Sequence, residues 1–390
     1  MANSRVYYAI QQVSFGKNSS GGAGARHVAH GVQSVGITTT FNLEQVFELG
    51  QLAIYENVEG TPDIEVTMTK AMDGYIPLYC MATADQTAGP QLAKRALPKG
   101  FVQLGIWDEA NESAGQNSST AKAWVEMSGL FVSSLTYNFP LDDWFTEDIT
   151  LVGNVKVWGT GQSKNEQTSC YSKYYPSGKA GAFASNEDSP PGSGGVNRRE
   201  NLVFASTQAQ TDDPDYSVMP QDIDGIGTSG QIGTAHIQSM TVSADIARED
   251  LFELGKKIAY ARPVTFPVEV TCDIETTTSS GDLVDAIDEC RGSSYCSEAW
   301  NLMNRKIRIA SCEGLRIYLG LKNKLASVTY GGGDAAGGNA TVTYSYSTFN
   351  DFTVLHPADD NGSGGSASGQ AWWGARGDYL GKGLNPTQQT

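Results

Sequence analysis

Apolar and polar positions alternate in the same way along two distant stretches of the chain. Val35, Ile37, Thr39 and Phe41 share one parity in the first stretch, and Met240, Val242, Ala244 and Ile246 share it in the second. That is the period of a half-buried strand. Each stretch runs into the word FELG, at Phe47–Gly50 and Phe252–Gly255, and each is followed by another alternating run. The second run is DIEVTMT, with Ile64, Val66 and Met68 on one face, or VEVTCDIE, with Val268, Val270, Cys272 and Ile274 on one face. Between the runs, Asn42 and Gln45 have capping-box spacing, Leu43 and Phe47 lie four apart, and Gly50 stands where a left-handed C-cap is wanted. These signals predict a helix of about two turns, so the expected module is strand, short helix, strand. On this reading Phe47, Leu49, Phe252 and Leu254 plug the helix onto the sheet, because large apolar residues are mostly inside, and Gly50 and Gly255 end it. The alternative for these residues is a direct contact between subunits.

The two FELG words lie 205 residues apart, and the agreement extends on both sides at that offset. Gln33-Ser34 falls on Gln238-Ser239, Glu44 on Glu249, Tyr55 on Tyr260 and Pro62 on Pro267. With one residue skipped, Ile64–Thr67 then falls on Val268–Thr271. Further on, FVQLGI (101–106) matches RIYLGL (316–321), and Thr136-Tyr137 and Phe145-Thr146 match Thr343-Tyr344 and Phe352-Thr353. Agreement in identity and parity over this length predicts a duplicated domain. A shared catalytic motif is disfavoured, since FELG carries one carboxylate and neither nucleophile nor base.

Further strands are predicted at 148–159, 306–311, 314–322 and 340–349, and a helix at 281–290 capped by Ser280. The expected fold is mainly β: two tandem sandwich or barrel domains, each with a short helix, at 32–160 and 234–357. Residues 161–233, rich in Gly, Ser, Asn, Asp and Pro, are expected to be an insert or linker. Residues 1–31 and 358–390 have a similar composition and are expected to be arms. Trp372 and Trp373 stand in the second arm, and exposed indoles call for something to cover them. A neighbouring subunit or the chain's own domain surface would serve.

At 390 residues the chain is long enough for two domains with real cores. Its 27 Lys and Arg against 43 Asp and Glu give a formal charge of −16 without an acidic tail. A phosphate grip needs clustered positive charge, so a nucleic-acid-binding surface is not expected. The charge serves solubility, or a surface past which another polyanion must slide without sticking. No run of about eighteen apolar residues is present to span a bilayer, and the first fifteen residues do not read as a secretory signal. The six cysteines are expected to be reduced and buried, with a Cys290–Cys296 bridge left open.

The chain carries few patterns that point to chemistry. His27 and His30 have no further partner at zinc-ligand spacing, and His236 and His356 are isolated. DIDG at Asp222–Gly225 lacks the alternation and terminal Glu of an EF-hand, GKNSS lacks the upstream Gly of a P-loop, and GGGDAAGG at 331–338 has no following Lys. No catalytic, cofactor-binding or metal-binding residue is assigned, and no enzyme activity is expected.

The pattern of a strand running into EQVFELG or REDLFELG, then an aromatic, a Pro and a strand such as DIEVTMT or VEVTCDIE, resembles the tail tube proteins of long-tailed bacteriophages. It is most similar to those in which two tube domains are fused and trimers form a pseudo-sixfold ring. The resemblance covers the two repeated domains and leaves the insert and arms unexplained. It implies a virion protein, assembled in the host cytoplasm, whose rings stack into a tube through which the genome is delivered. Its partners would be itself and other tail proteins, with DNA passing an acidic lumen unbound. Phe47, Leu49, Gly50, Phe252, Leu254 and Gly255 would be structural or interface residues, and Trp372 and Trp373 would make ring or stacking contacts. The rival expectations are another phage structural protein (a capsid decoration, tail terminator or tip subunit) and a secreted β-sandwich adhesin or carbohydrate binder.

Overall fold

The computed structural model describes residues 11–17, 26–83, 91–107, 122–160, 195–203, 235–278, 307–311, 315–320, 322–333 and 338–356, with positions 6, 281, 284 and 304. The protein is mainly β and is built on a large antiparallel sheet. Its first ten strands are β1 (Gln11–Lys17), β2 (Arg26–Val28), β3 (Val32–Thr40), β4 (Leu43–Phe47), β5 (Ile54–Glu59), β6 (Asp63–Ala71), β7 (Gly100–Ile106), β8 (Ala123–Pro140), β9 (Thr146–Gly153) and β10 (Val155–Thr160). The remaining eight are β11 (Leu202–Val203), β12 (Ala235–Asp245), β13 (Glu269–Thr278), β14 (Arg308–Ser311), β15 (Arg316–Tyr318), β16 (Lys324–Gly331), β17 (Thr341–Phe349) and β18 (Thr353–Leu355).

Eight strands form one continuous run in the order β3-β6-β9-β8-β12-β13-β17-β16. The first four and the last four have the same connectivity, and the seam between them is the antiparallel pair β8–β12. Irregularities coincide as well. A bulge falls at Gln33 in β3 and at Gln238 in β12, and each glutamine donates from Nε2 to the carbonyl two residues earlier, at 3.1 Å in both cases. A second bulge falls at Ser133 in β8 and at Ala326 in β16. A bulge is a costly interruption of a ladder and does not recur at matched positions without cause.

A second layer repeats the agreement. The order β1-β7-β8-β10, made with the N-terminal half of β8, parallels β11-β14-β15-β18. In the first half the 18-residue β8 belongs to both layers, bending at Gly129 (φ +67°), whereas in the second half β15 and β16 are separate strands with Gly320 (φ +76°) between them. Residues 11–17 and 26–28, expected to lie in an N-terminal arm, are thus sheet strands, as are 202–203 within the expected insert.

The core lies between the layers. Alternate residues of the eight-strand run point into it, including Ile64, Val66, Met68, Val242, Cys272, Ile274 and Tyr344, all buried. Their polar neighbours in sequence face the other way, as the period of two requires. Two short helices, α1 (Leu78–Ala82) and α2 (Leu92–Arg95), close the first half. The fully buried Glu147 accepts hydrogen bonds from the backbone N–H groups of Leu78 (2.6 Å) and Tyr79 (2.9 Å) and from the Tyr137 hydroxyl (2.9 Å).

Three expectations need correction. The FELG segments are not helical: Leu43–Phe47 and Ile54–Glu59 pair as a hairpin, and the second copy repeats it through isolated bridges. The register is common to both, since Leu43 faces Glu59 as Arg248 faces Val264, and Val46 faces Glu56 as Leu251 faces Ala261. Asn42 caps nothing; it ties the hairpin base, donating to Thr61 O (2.8 Å) and Asp63 Oδ2 (2.9 Å). The match of Ile64 to Val268 is off by two, because Ile64 pairs with Thr39 as Val270 pairs with Ala244. Finally, the later matches slipped by one strand. Register places Thr136-Tyr137 on Thr329-Tyr330 of β16, not on β17, and β7 corresponds to β14, not β15. A Thr-Tyr pair occurs in both β16 (Thr329-Tyr330) and β17 (Thr343-Tyr344), which is why residue identity chose the wrong one.

Candidate functional site

Among the described residues no group of three His, Cys, Asp or Glu is placed to hold a metal, and no helix is long and apolar enough to cross a membrane. His30 stacks on Tyr75 with ring centroids 4.5 Å apart. His356 is buried, and its pKa is pushed down to about 3 by burial and by the charge of Lys70. The Cys272 thiol is pushed up to about 12 by burial, which keeps it protonated and unreactive. Cys290, Cys296, Trp372, Trp373 and nearly all of the predicted 281–290 helix lie outside the described residues.

What the architecture offers instead is a pair of sheet edges. Among the described residues β3 pairs with β6 alone and β16 with β17 alone, so the eight-strand run ends in two open edges. These edges are the counterparts of the two strands joined at the internal seam: β3 corresponds to β12, and β16 to β8. Burial records the difference. At the seam Met240, Val242, Ala244, Ile246, Leu135 and Tyr137 are all buried. At the open edges the matching Val35, Ile37, Thr39 and Val328 are half-buried, Tyr330 is 51% exposed and Phe41 is 70% exposed.

The second surface is the pair of hairpins. The repeated FELG word is the hairpin tip: Glu48 O accepts from Gln51 N at 3.2 Å, as Glu253 O does from Lys256 N at 3.3 Å. Gly50 (φ +97°) and Gly255 (φ +87°) occupy the third turn position, where a type II turn demands positive φ. The preceding Leu49 and Leu254 stand fully in solvent, and Phe47 and Phe252 are 60% and 54% exposed. These four leucines and phenylalanines therefore do not plug the sheet core. A helix would have turned them inward; a two-stranded ribbon projecting beyond the sheet has no core to offer.

The hairpins differ in their surroundings. The second leans on the first half of the chain through Arg248, which donates to Val132 O (2.8 Å) and Ala96 O (2.9 Å) and lies 4.7 Å over the Phe131 ring. Burial and the neighbouring Arg262 push the Arg248 pKa down to about 10, so it remains a cation. Arg262 bridges Asp250 (2.7 Å) and Asp63 (3.4 Å), and Lys257 pairs with Glu59 at 3.0 Å. In the first hairpin every residue of β4 and β5 is exposed.

The third surface is the open face of the eight-strand run, which carries hydroxyls and carboxylates. Asp148 accepts from Thr69 (2.6 Å) and Asn138 (2.9 Å), Glu275 accepts from Ser239 (3.0 Å), and Ser243 and Thr271 are 2.7 Å apart. Glu65, Asp148, Asp245, Glu269, Asp273 and Glu275 share this face by parity, and Lys324 stands at its edge.

No protein-family model matches the chain, and no curated protein does. Among solved structures, the chain is similar to the tube-terminating cap of the anti-feeding prophage (15% identity, TM-score 0.30, covering 41% of this chain and 94% of that one). It is similar also to a chain of the sheath-tube complex of an extracellular contractile injection system in its extended state (14%, TM-score 0.30, 41% and 94%). A chain of the anti-feeding prophage baseplate gives 11% identity, TM-score 0.30 and coverages of 40% and 97%. Likeness at that level assigns no function.

Proposed function

We propose that this chain is a structural subunit in which two copies of one β domain, at about 32–160 and 234–357, occupy adjacent seats of a ring. Strands 11–17 and 202–203 would complete their outer layers. Three chains supply six units and twenty-four strands, and the β16 edge of each chain joins the β3 edge of the next. Rings stack into a tail tube, with other tail proteins at its ends. The particle is a virion, assembled in the host cytoplasm.

The observation that carries this reading is the match between the internal seam and the two open edges. A strand edge is a template for another strand, and a closed ring removes it. Carrying the β8–β12 register across gives Ile37 facing Tyr330 and Thr38 facing Thr329 of the neighbour. Closure would cover Val35, Ile37, Phe41 and Tyr330, each worth about 1.5–3 kcal/mol when fully buried. The hydroxyl and carboxylate face then lines the channel, where like charge keeps DNA phosphates from sticking. The role is mechanical, with no catalytic step.

Electron microscopy of the purified protein tests this, with three chains per ring and apparent sixfold symmetry expected in stacked tubes. Six chains per ring would contradict the two-seat reading, and single unstacked rings would favour a terminator or tip subunit.

A further inference from the structure

The first hairpin has the same register as the second and shares the Glu59–Lys257 pair with it, but carries no arginine at the positions of Arg248 and Arg262. Its positions can be compared one by one. Leu43 stands for Arg248, Leu52 for Lys257 and Asn57 for Arg262. The partners of the second hairpin have counterparts too: Phe131 and Val132, which Arg248 touches, correspond through the matched bulge to Lys324 and Leu325 of β16.

We propose that the first hairpin docks on the second half of a neighbouring copy of this chain, beside β16, as the second hairpin docks on the first half within one chain. The inference rests on the ring reading above and deepens it by naming the contact. The occupant is a second copy because β16 repeats the strand on which the second hairpin leans, and among the described residues β16 pairs with β17 alone. The chemistry is inverted between the two sites. The internal dock, made once when the chain folds, uses the half-buried Arg248, the buried Arg262 and the carboxylates of Asp250 and Asp63. The dock between chains uses Leu43 (58% exposed) and Leu52 (103%), apolar side chains that solvent covers in the isolated chain. An apolar contact needs no exact ionic geometry at assembly and is insensitive to salt, whereas exposed ion pairs are screened.

The test uses the full chain with Leu43→Asp, Leu43→Arg and a Leu43→Cys, Lys324→Cys pair. Assembly is read by native mass spectrometry and sedimentation, and folding by circular dichroism and melting temperature. Leu43→Arg, which sets a second cation against Lys324 where the internal dock has Phe131, is expected to lower the ring fraction at least tenfold with an unchanged melting temperature, since the side chain is exposed. Leu43→Asp, which can pair with Lys324, is expected to keep rings. The cysteine pair is expected to link chains into covalent trimers under mild oxidation, against the parent chain as control. Rings that persist in Leu43→Arg, with no cross-linked trimers from the cysteine pair, would overturn the hairpin dock alone. A wild-type chain that stays monomeric at assembly concentrations would overturn the ring reading and this contact together.

Discussion

The two four-strand units are alike in strand order, bulges and hairpin register, and each has one edge joined at the internal seam and one edge left open. Ile246 is fully buried and its counterpart Phe41 is 70% exposed; Tyr137 is fully buried and Tyr330 is 51% exposed. Nothing in the local sequence makes Tyr330 a surface residue, since both tyrosines sit on the core-facing parity of equivalent strands. Exposure here measures a missing neighbour. Within one chain, the internal seam is therefore a picture of what the open edges are shaped to meet.

The largest effect separates the two tyrosines. Tyr137→Asp puts a carboxylate into a fully buried site that already holds Glu147 at 2.9 Å from the hydroxyl. Removing the donor and adding a like charge is expected to cost more than about 4 kcal/mol and to leave no folded protein, read by circular dichroism. Tyr330→Asp makes the same chemical change at the open edge. Folding and melting temperature are expected to survive and ring formation to be lost. Loss of folding in both variants would mean that the edge tyrosine is already part of a core.

A middle-sized effect tests the far side of the seam, where the end of the second copy lies on the first. Phe352 O accepts from Leu92 N at 3.0 Å, its ring sits 6.0 Å from that of Tyr79, and His356 follows under the charge of Lys70. The folded pKa of His356, about 3, is below its ordinary value of about 6.5. Between those values the unfolded chain binds a proton that the folded chain refuses, so stability falls as pH drops through this window and is intact above it. From pH 7 to pH 4.5 the loss is expected to be about 2 kcal/mol by urea titration. Glu147, whose pKa burial raises, contributes with the opposite sign. Repeating the titration in His356→Gln isolates the histidine: an equally steep decline in that variant would remove it from the account.

The repeated strand order is legible because it rests on identity and parity at a near-constant spacing, which need no tertiary information. The hairpins are not, for a physical reason. Leu43 and Phe47, four apart, share a face in a helix and also in a strand, and Gly50 serves a left-handed helix cap and a type II turn with the same positive φ. The tie is broken by Glu59 and Asn57, which arrive later in the chain to pair with Leu43 and Gln45. The open edges were equally silent, since β3 and β12 carry the same alternation and only the presence of β8 beside one of them tells them apart. Strand β16 gives no clear strand signal in the sequence because KLASVTYG breaks its alternation at the bulge. The acidic character of the open face was visible as net charge, but its concentration on one side of the sheet depends on register.

The smallest effect concerns the glycines of the repeated word. No atom lies within 4 Å of where a Cβ would be at Gly50 or Gly255, so substitution to Ala meets no clash and costs only the left-handed backbone. That cost is about 1–2 kcal/mol for an L-residue. At Gly255 the hairpin is latched to the first half by Arg248 and Arg262, so strain at its tip is coupled to global unfolding, and Gly255→Ala is expected to lower the melting temperature by a few degrees. At Gly50 the hairpin stands in solvent, where it can open without unfolding the sheet, and local opening caps the cost to global stability. Gly50→Ala is thus expected to leave the melting temperature of the isolated chain unchanged and to weaken ring formation by up to about tenfold, the equivalent of 1.4 kcal/mol. Gly50→Asn, which tolerates positive φ better, should recover most of it. Equal drops in melting temperature for Gly50→Ala and Gly255→Ala would show that the first hairpin is as firmly held as the second, and the contrast between the two copies would fall with it.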